Sequence, residues 1–474
     1  MNITRDVQNK ISRELHIFFF PFMSHGHMIP TIDMAKLFSK RGVRSTIITT
    51  PLNAILLSKT IQQTNQFLVS EIQIKTINFP CTDRSGLPQH CENIDSVPSQ
   101  DMIAAFYEAT AELREPLERL LSKHMPTCLV ADMFFPWATD AAAKFGIPRL
   151  SIKAHEPYIR ALSDFEPFVI PDLPGEISLT TMELPELVRR NVESYMTKLL
   201  EEARESEVRS YGVVVNSFYD LEPEYADHYM KVLGRKAWHI GPVSLCNKDD
   251  KEREVKQHNC LKWLDSKRPN SIVYVSFGSV AKFTDSQLAE IASGLEASGH
   301  EFIWAVRRSK QNESENEERD EEKWLPKDFE KRMEGKGLVI RDWAPQVGIL
   351  EHEAIGGFVT HCGWNSTLEA VSSGVPMVTW PMFAEQFFNE KLVTKILRIG
   401  VGVGVRKWVR FVGDSVKREA LDKAVRRVME GEEAEEMKGR AKRLRETAKR
   451  AVEPGGSSYC QLSSLTEELR SLGL

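Results

Sequence analysis

Apolar positions fall into short unbroken runs that alternate with amphipathic stretches. LHIFFFPF, from Leu15 to Phe22, is apolar at nearly every position and has the length of a strand. A run without a polar face predicts a strand covered on both sides, as in a parallel sheet. MIPTIDMAKLFSKRG follows, with apolar residues three and four apart and a Gly at its end, which predicts a helix. VRSTIITT, TCLVADMF and YGVVVNSF predict further strands, and ATDAAAKFG a helix after the second of them. The alternation restarts with SIVYVSFGS, a strand, and TDSQLAEIASGLEASG, a helix with Thr284 as N-cap. EFIWAV, GFVTH and VPMVTWP predict strands, with helices opening at Asn365 and near Ala384. The whole pattern is doubly wound α/β.

Polar interruptions divide the pattern. NKDDKEREVKQHN (247–259) is charged and aperiodic and reads as a linker. A chain of 474 residues is too long for one core. Two domains are therefore expected, over 1–246 and 260–456, with a final amphipathic helix at 457–474 after EPGGSS. The acidic run 313–322 reads as a solvated loop.

Composition narrows the function. A net charge of −5 carries no basic excess, which argues against a nucleic-acid partner. Seven scattered cysteines without CxxC spacing argue against a disulfide framework or a zinc site and favour a reducing, cytoplasmic compartment. The apolar run at 15–23 is short and contains Pro21, so it predicts a buried strand and no membrane span. GVGVGV (400–405) neither follows the first strand nor opens a helix, so it is no dinucleotide loop.

The strongest chemical signal is GFVTHCGWNSTLEAVSSG. A strand ends at His361, a Cys-Gly turn follows, and Asn365, Ser366 and Thr367 open a helix. Unpaired N–H groups and about half a positive charge at such an end suit a diphosphate. Gly363 allows close backbone approach. Near the start, PFMSHGHMIP sets His25 and His27 at the C-terminal edge of a parallel sheet, where α/β proteins bind ligands. Either imidazole could serve as a base. Asp132 ends the strand TCLVAD and could fix an imidazole tautomer or cap a helix.

These motifs resemble the plant secondary-product glycosyltransferases, enzymes that use uridine-diphosphate sugars. The resemblance centres on the ungapped box from Trp343 to Gln386 and extends through PFMSHGHMIP and the SFGS at 276–279. It looks nearest to the branch acting on flavonoids and terpenoids. It implies the GT-B architecture, two Rossmann-like domains facing across a cleft, with the terminal helix packed back on the first. Trp343 would then stack on uracil, with the Ala344 backbone and Gln346 holding base and ribose. Glu369 would accept from the ribose hydroxyls. Ser279, His361, Asn365 and Ser366 would hold the diphosphate, and Trp364, Glu385 and Gln386 the sugar. His27 would be the base and Asp132 its partner. After IPRLSI, where the family usually has an aromatic or His, a small residue and Ser or Thr, this chain has Lys153, Ala154 and His155.

The expected activity is inverting transfer of glucose from UDP-glucose to a hydroxyl of a small lipophilic aglycone, giving a β-glucoside. UDP-glucose is a co-substrate, and neither a cofactor nor a metal is expected, because the helix terminus neutralises the diphosphate. The resemblance implies glucose through Gln386, whose amide can both donate to and accept from sugar hydroxyls. A monomer is expected. Transfer from UDP-glucuronate or UDP-galactose, or UDP-sugar binding without catalysis, are the alternatives.

Overall fold

The computed structural model describes residues 14–80, 86–99, 102–153, 167–170, 173–185, 189, 194–247, 258–278, 281, 283–306, 324–341, 343–409 and 415–472. Ser279, Ala154, His155, the acidic run and most of the linker lie outside them, as does the side chain of Lys153.

Two parallel sheets carry the chain. The first is built from β1 (His16–Phe20), β2 (Arg44–Thr49), β3 (Ile72–Thr76), β4 (Cys128–Asp132), β5 (Arg149–Lys153), β8 (Gly212–Val215) and β9 (Ala237–His239), in the order β3-β2-β1-β4-β5-β8-β9. Between β5 and β8 lies the antiparallel pair β6 (Phe168–Val169) and β7 (Ser178–Leu179). The second sheet contains β10 (Ile272–Ser276), β11 (Glu301–Ala305), β12 (Gly337–Ile340), β13 (Ile355–Thr360), β14 (Met377–Thr379) and β15 (Gly400–Gly402), in the order β12-β11-β10-β13-β14-β15. Both orders reverse direction at the first strand, which is the Rossmann arrangement and opens a crevice beyond the strand ends.

The unbroken apolar runs follow from burial on two faces. In β1, Phe18 and Phe20 enter one core while Ile17 and Phe19 enter the other. In β10, Val273 and Val275 face one core and Ile272 and Tyr274 the opposite one. A strand side chain alternates with period two, so both sets must be apolar. The GVGVGV segment supplies the edge strand β15. Thr284 caps its helix by accepting from the Gln287 N–H at 3.2 Å.

The terminal helix Ser457–Leu472 lies against the first sheet. Leu462, Leu465 and Leu469 join the core beneath Ile17 and Val130. Ser458 donates to the Gly241 carbonyl at 2.6 Å, and the Gln461 side chain accepts from the His239 N–H at 2.6 Å. No helix among the described residues is long and apolar enough to cross a membrane.

Candidate active site

The helix after β1 begins at His25, earlier than the apolar spacing indicates, and runs to Ser39. Both histidines therefore stand in its first turn and not in the preceding loop. His27 Nδ1 lies 2.7 Å from Asp132 Oδ2 at the end of β4. Asp132 is 1% exposed, and the imidazole of His27 is 31% exposed. The other Asp132 oxygen accepts from the Phe134 N–H at 3.1 Å. Buried Arg149 donates to the Asp132 carbonyl at 2.9 Å, which steadies the strand end from below. Burial lowers the His27 pKa, but the charge and hydrogen bond of Asp132 outweigh it, aided by Glu385 and Asp95, and the net shift is upward. Phe22 and Phe134 set their rings 5.6 Å from the imidazole.

His25 has a carboxylate of its own. Its Nδ1 lies 2.7 Å from Asp95 Oδ2, which also accepts the His25 N–H at 3.0 Å. Asp95 comes from a segment 70 residues away and has no motif around it, so the sequence does not reveal this pair.

The second constellation gathers around the N-terminus of the helix Trp364–Ser373, which follows β13. The intervening turn is strained, since Cys362 adopts φ of 62°. Thr360 accepts from the Cys362 N–H at 3.3 Å, and Asn389 donates to its carbonyl at 2.8 Å, which hold that geometry. The ring of His361 is packed between two glycines. A Cβ at Gly278 would come within 2.9 Å of it and one at Gly363 within 2.5 Å. SFGS and HCGW thus each contribute the glycine that makes room for this imidazole. Desolvation lowers the His361 pKa to about 4, so the ring is neutral at neutral pH. Its Nδ1 is buried with no hydrogen-bond partner among the described residues, so a polar atom of this ring is left for a ligand oxygen.

The remaining residues of the box converge here. Gln346 donates its amide to Ser366 Oγ at 3.0 Å and to Glu369 Oε2 at 2.8 Å, tying the residues expected at diphosphate and ribose to each other. The Ala344 carbonyl accepts from the Gln346 N–H at 2.8 Å, leaving the Ala344 N–H as its other backbone group. Trp343 is 57% exposed, with the His258 ring edge-on to it at 6.4 Å. Glu385 accepts from the Trp364 backbone N–H at 3.3 Å.

Two side chains of the box make bonds that their residue types do not reveal. Gln386 is buried, and its amide oxygen accepts from the N–H groups of Met382 and Phe383 at 2.8 and 3.1 Å. Both lone pairs are occupied, so this side chain offers donors only. The indole of Trp364 is 5% exposed and donates to the Asn216 carbonyl at 2.7 Å. The indole thereby ties this helix end to the end of β8. Asn216, at the end of the predicted strand YGVVVNSF, was missed as a site residue, although strand ends are where α/β ligand sites form.

No group of three or more His, Cys, Asp or Glu among the described residues is arranged to hold a metal. The six described cysteines are thiols, with no disulfide among them.

Residues 194–444 match the family model for UDP-glucoronosyl and UDP-glucosyl transferases. The chain belongs to this family. It is 54% identical to scopoletin glucosyltransferase of Nicotiana tabacum, over 96% of this chain and 98% of that protein. It is 55% identical to the UDP-glucose flavonoid 3-O-glucosyltransferase 7 of Fragaria ananassa, over 98% of each. A crystal structure of Glycyrrhiza uralensis UGT73P12, complexed with glycyrrhetinic acid 3-O-monoglucuronide, superposes with a TM-score of 0.87. That protein is 40% identical, over 97% of this chain and 96% of that one. The two sheets are accordingly those of a GT-B transferase, with two Rossmann-like domains facing across a cleft.

Proposed function

We propose that the transferase moves glucose from UDP-glucose to a hydroxyl of a small lipophilic aglycone, a phenolic or flavonoid or a triterpenoid, with inversion to the β-glucoside. The observation that carries this reading is the pairing of His27 with buried Asp132 beside aromatic rings, opposite a helix terminus with an orphaned imidazole nitrogen. The relatives named for scopoletin and flavonoid glucosylation support both the donor and the acceptor class.

In this scheme Trp343 stacks on uracil, Ala344 and Gln346 hold base and ribose, and Glu369 accepts from the ribose hydroxyls. His361, Ser366 and Ser279 hold the diphosphate, with Asn365 contributing its backbone N–H at the helix terminus, since its side chain bonds to Gly26. Glu385 accepts from a sugar hydroxyl and Gln386 donates to one, while the Trp364 backbone fixes Glu385. Neutral His27 removes the acceptor proton through Nε2 as the oxygen attacks the anomeric carbon. Asp132, bonded to Nδ1, stabilises the imidazolium that forms. The bond to the diphosphate oxygen breaks on the opposite face. Helix N–H groups and His361 stabilise the growing negative charge there without reorganising, which is electrostatic catalysis.

The same reading divides the chain at 247–259 and treats it as a cytoplasmic monomer with no cofactor or metal. Activity is expected to survive EDTA. An aglycone panel assayed by mass spectrometry with UDP-glucose, UDP-glucuronate and UDP-galactose tests the donor. The highest kcat/KM is expected with UDP-glucose, and a higher value with either alternative would contradict it.

A further inference from the structure

The two halves of the site are joined by a bond that begins with a proline. Pro30 lies inside the helix His25–Ser39. A helical N–H normally donates to the carbonyl four residues earlier, and proline has no N–H to give. The carbonyl that loses its partner is that of Gly26, the residue between the two histidines. In this structure the Gly26 carbonyl accepts from Asn365 Nδ2 at 2.8 Å. Asn365 is the second residue of the helix whose N-terminus is the proposed diphosphate site.

The same helix end has a second attachment. Trp364 donates its indole N–H to the Asn216 carbonyl at 2.7 Å. Asn216 Nδ2 stands 3.5 Å from Asn365 Oδ1, a long contact that favours the amide orientation aiming Nδ2 at Gly26. Asn216 is itself held, since its Oδ1 accepts from the Val243 N–H at 3.0 Å. Consecutive residues of the donor helix thus bond to the first sheet and to the turn that carries His27.

We propose that Pro30 and Asn365 are positioning residues that set His27 in register with the donor sugar. Pro30 keeps the Gly26 carbonyl out of the helix ladder, and Asn365 takes it. The helix that receives the leaving diphosphate thereby locates the turn that carries the base. This rests on the reading of His27 as base. A bonded turn limits the base to one placement relative to the anomeric carbon, and small misplacements are costly in group transfer.

The test is Pro30→Ala in the full-length enzyme, alone and combined with Asn365→Ala. Alanine supplies the missing N–H and is a better helix former, so the melting temperature should hold or rise. Turnover of an aliphatic alcohol acceptor should nevertheless fall roughly three- to tenfold, the scale of one hydrogen bond. UDP affinity by calorimetry should stay within about twofold for Pro30→Ala, which a general disruption of the donor site would not allow. In the Asn365→Ala background, Pro30→Ala should cost little further, because both act on one bond. Equal losses in both backgrounds, or no loss in either, overturn the proposal. Hydrogen exchange supplies a readout that does not involve the base. The His27 and Met28 amides, which donate to the Ser24 carbonyl at 3.0 and 2.9 Å, should exchange faster in Asn365→Ala. Unchanged exchange overturns the strap itself, whereas faster exchange in an enzyme whose His27→Ala variant stays active shows that the base assignment is the part that fails.

Discussion

His25 and His27 each place Nδ1 2.7 Å from a carboxylate, yet the two pairs are built differently. Asp132 closes a core strand, is 1% exposed, and directs one oxygen to the imidazole and the other to the Phe134 N–H. Asp95 acts at the helix terminus. It accepts from Ser24 Oγ at 3.0 Å and from the His25 N–H, where the Ser24 side chain makes no cap bond of its own. A carboxylate there also favours the helix dipole. His25 is the more exposed ring, at 42% against 31%. The first pair is the one proposed as base and stabiliser, and the second has the construction of a cap. Proximity of His to Asp does not separate the two; the other bonds made by each carboxylate do.

The largest expected effect is on the first pair. His27→Ala should lower kcat/KM for an aliphatic alcohol by about 10²–10⁴, or roughly 3–5 kcal/mol, the range of general-base catalysis. A phenol should suffer less, since part of it is already ionised. Asp132→Asn should come next, with a loss of at least about tenfold, because an amide cannot balance the imidazolium charge. Its kcat measured with saturating donor checks this, and a loss confined to KM would sink it.

The second pair should respond in stability more than in rate. Burial pushes the Asp95 carboxyl up, but the bonds from His25 and Ser24 outweigh it and hold the group below its usual range. A depressed carboxyl contributes stability above its unfolded pKa, and that contribution is lost as pH falls through the folded pKa. Asp95→Asn should therefore lower the melting temperature at neutral pH by an amount equivalent to about 0.3–1 kcal/mol, the worth of a charge at a helix terminus. The deficit should shrink in acid. A deficit that does not change with pH would mean the charge is not involved. His25→Ala is the smallest expected effect, with kcat/KM within about threefold of the parent, a window set by the loss of one net hydrogen bond.

Much of this was legible in the chain. The runs LHIFFFPF and SIVYVSFGS read as doubly covered strands because both faces of each sheet are packed, and they are β1 and β10. The box from Trp343 to Gln386 was legible because its members lie close in sequence around one strand-turn-helix. Four features were not. Asp95 reaches His25 across 70 residues, and Asn216 reaches Asn365 across 149, with nothing local to mark either partner. The helix start at His25 was hidden because its first residues, His25, Gly26 and His27, carry no apolar position, so the apolar pattern begins at Met28. The donor-only role of Gln386 depends on which lone pairs the backbone occupies, which residue type alone does not state.

The most direct test of the account is the pH dependence of kcat/KM in the parent enzyme, Asp132→Asn and Asp95→Asn. A base must be neutral to act, so activity falls as pH drops through its pKa in the free enzyme. His27 is raised above its usual value of 6.5, chiefly by Asp132 acting against burial and only lastly by Asp95. The parent should therefore show an acid limb above pH 6.5. Asp132→Asn should move that limb to lower pH, because burial then dominates, and Asp95→Asn should move it much less. A limb that stays in place in Asp132→Asn and shifts in Asp95→Asn would assign the base to His25 and contradict the account.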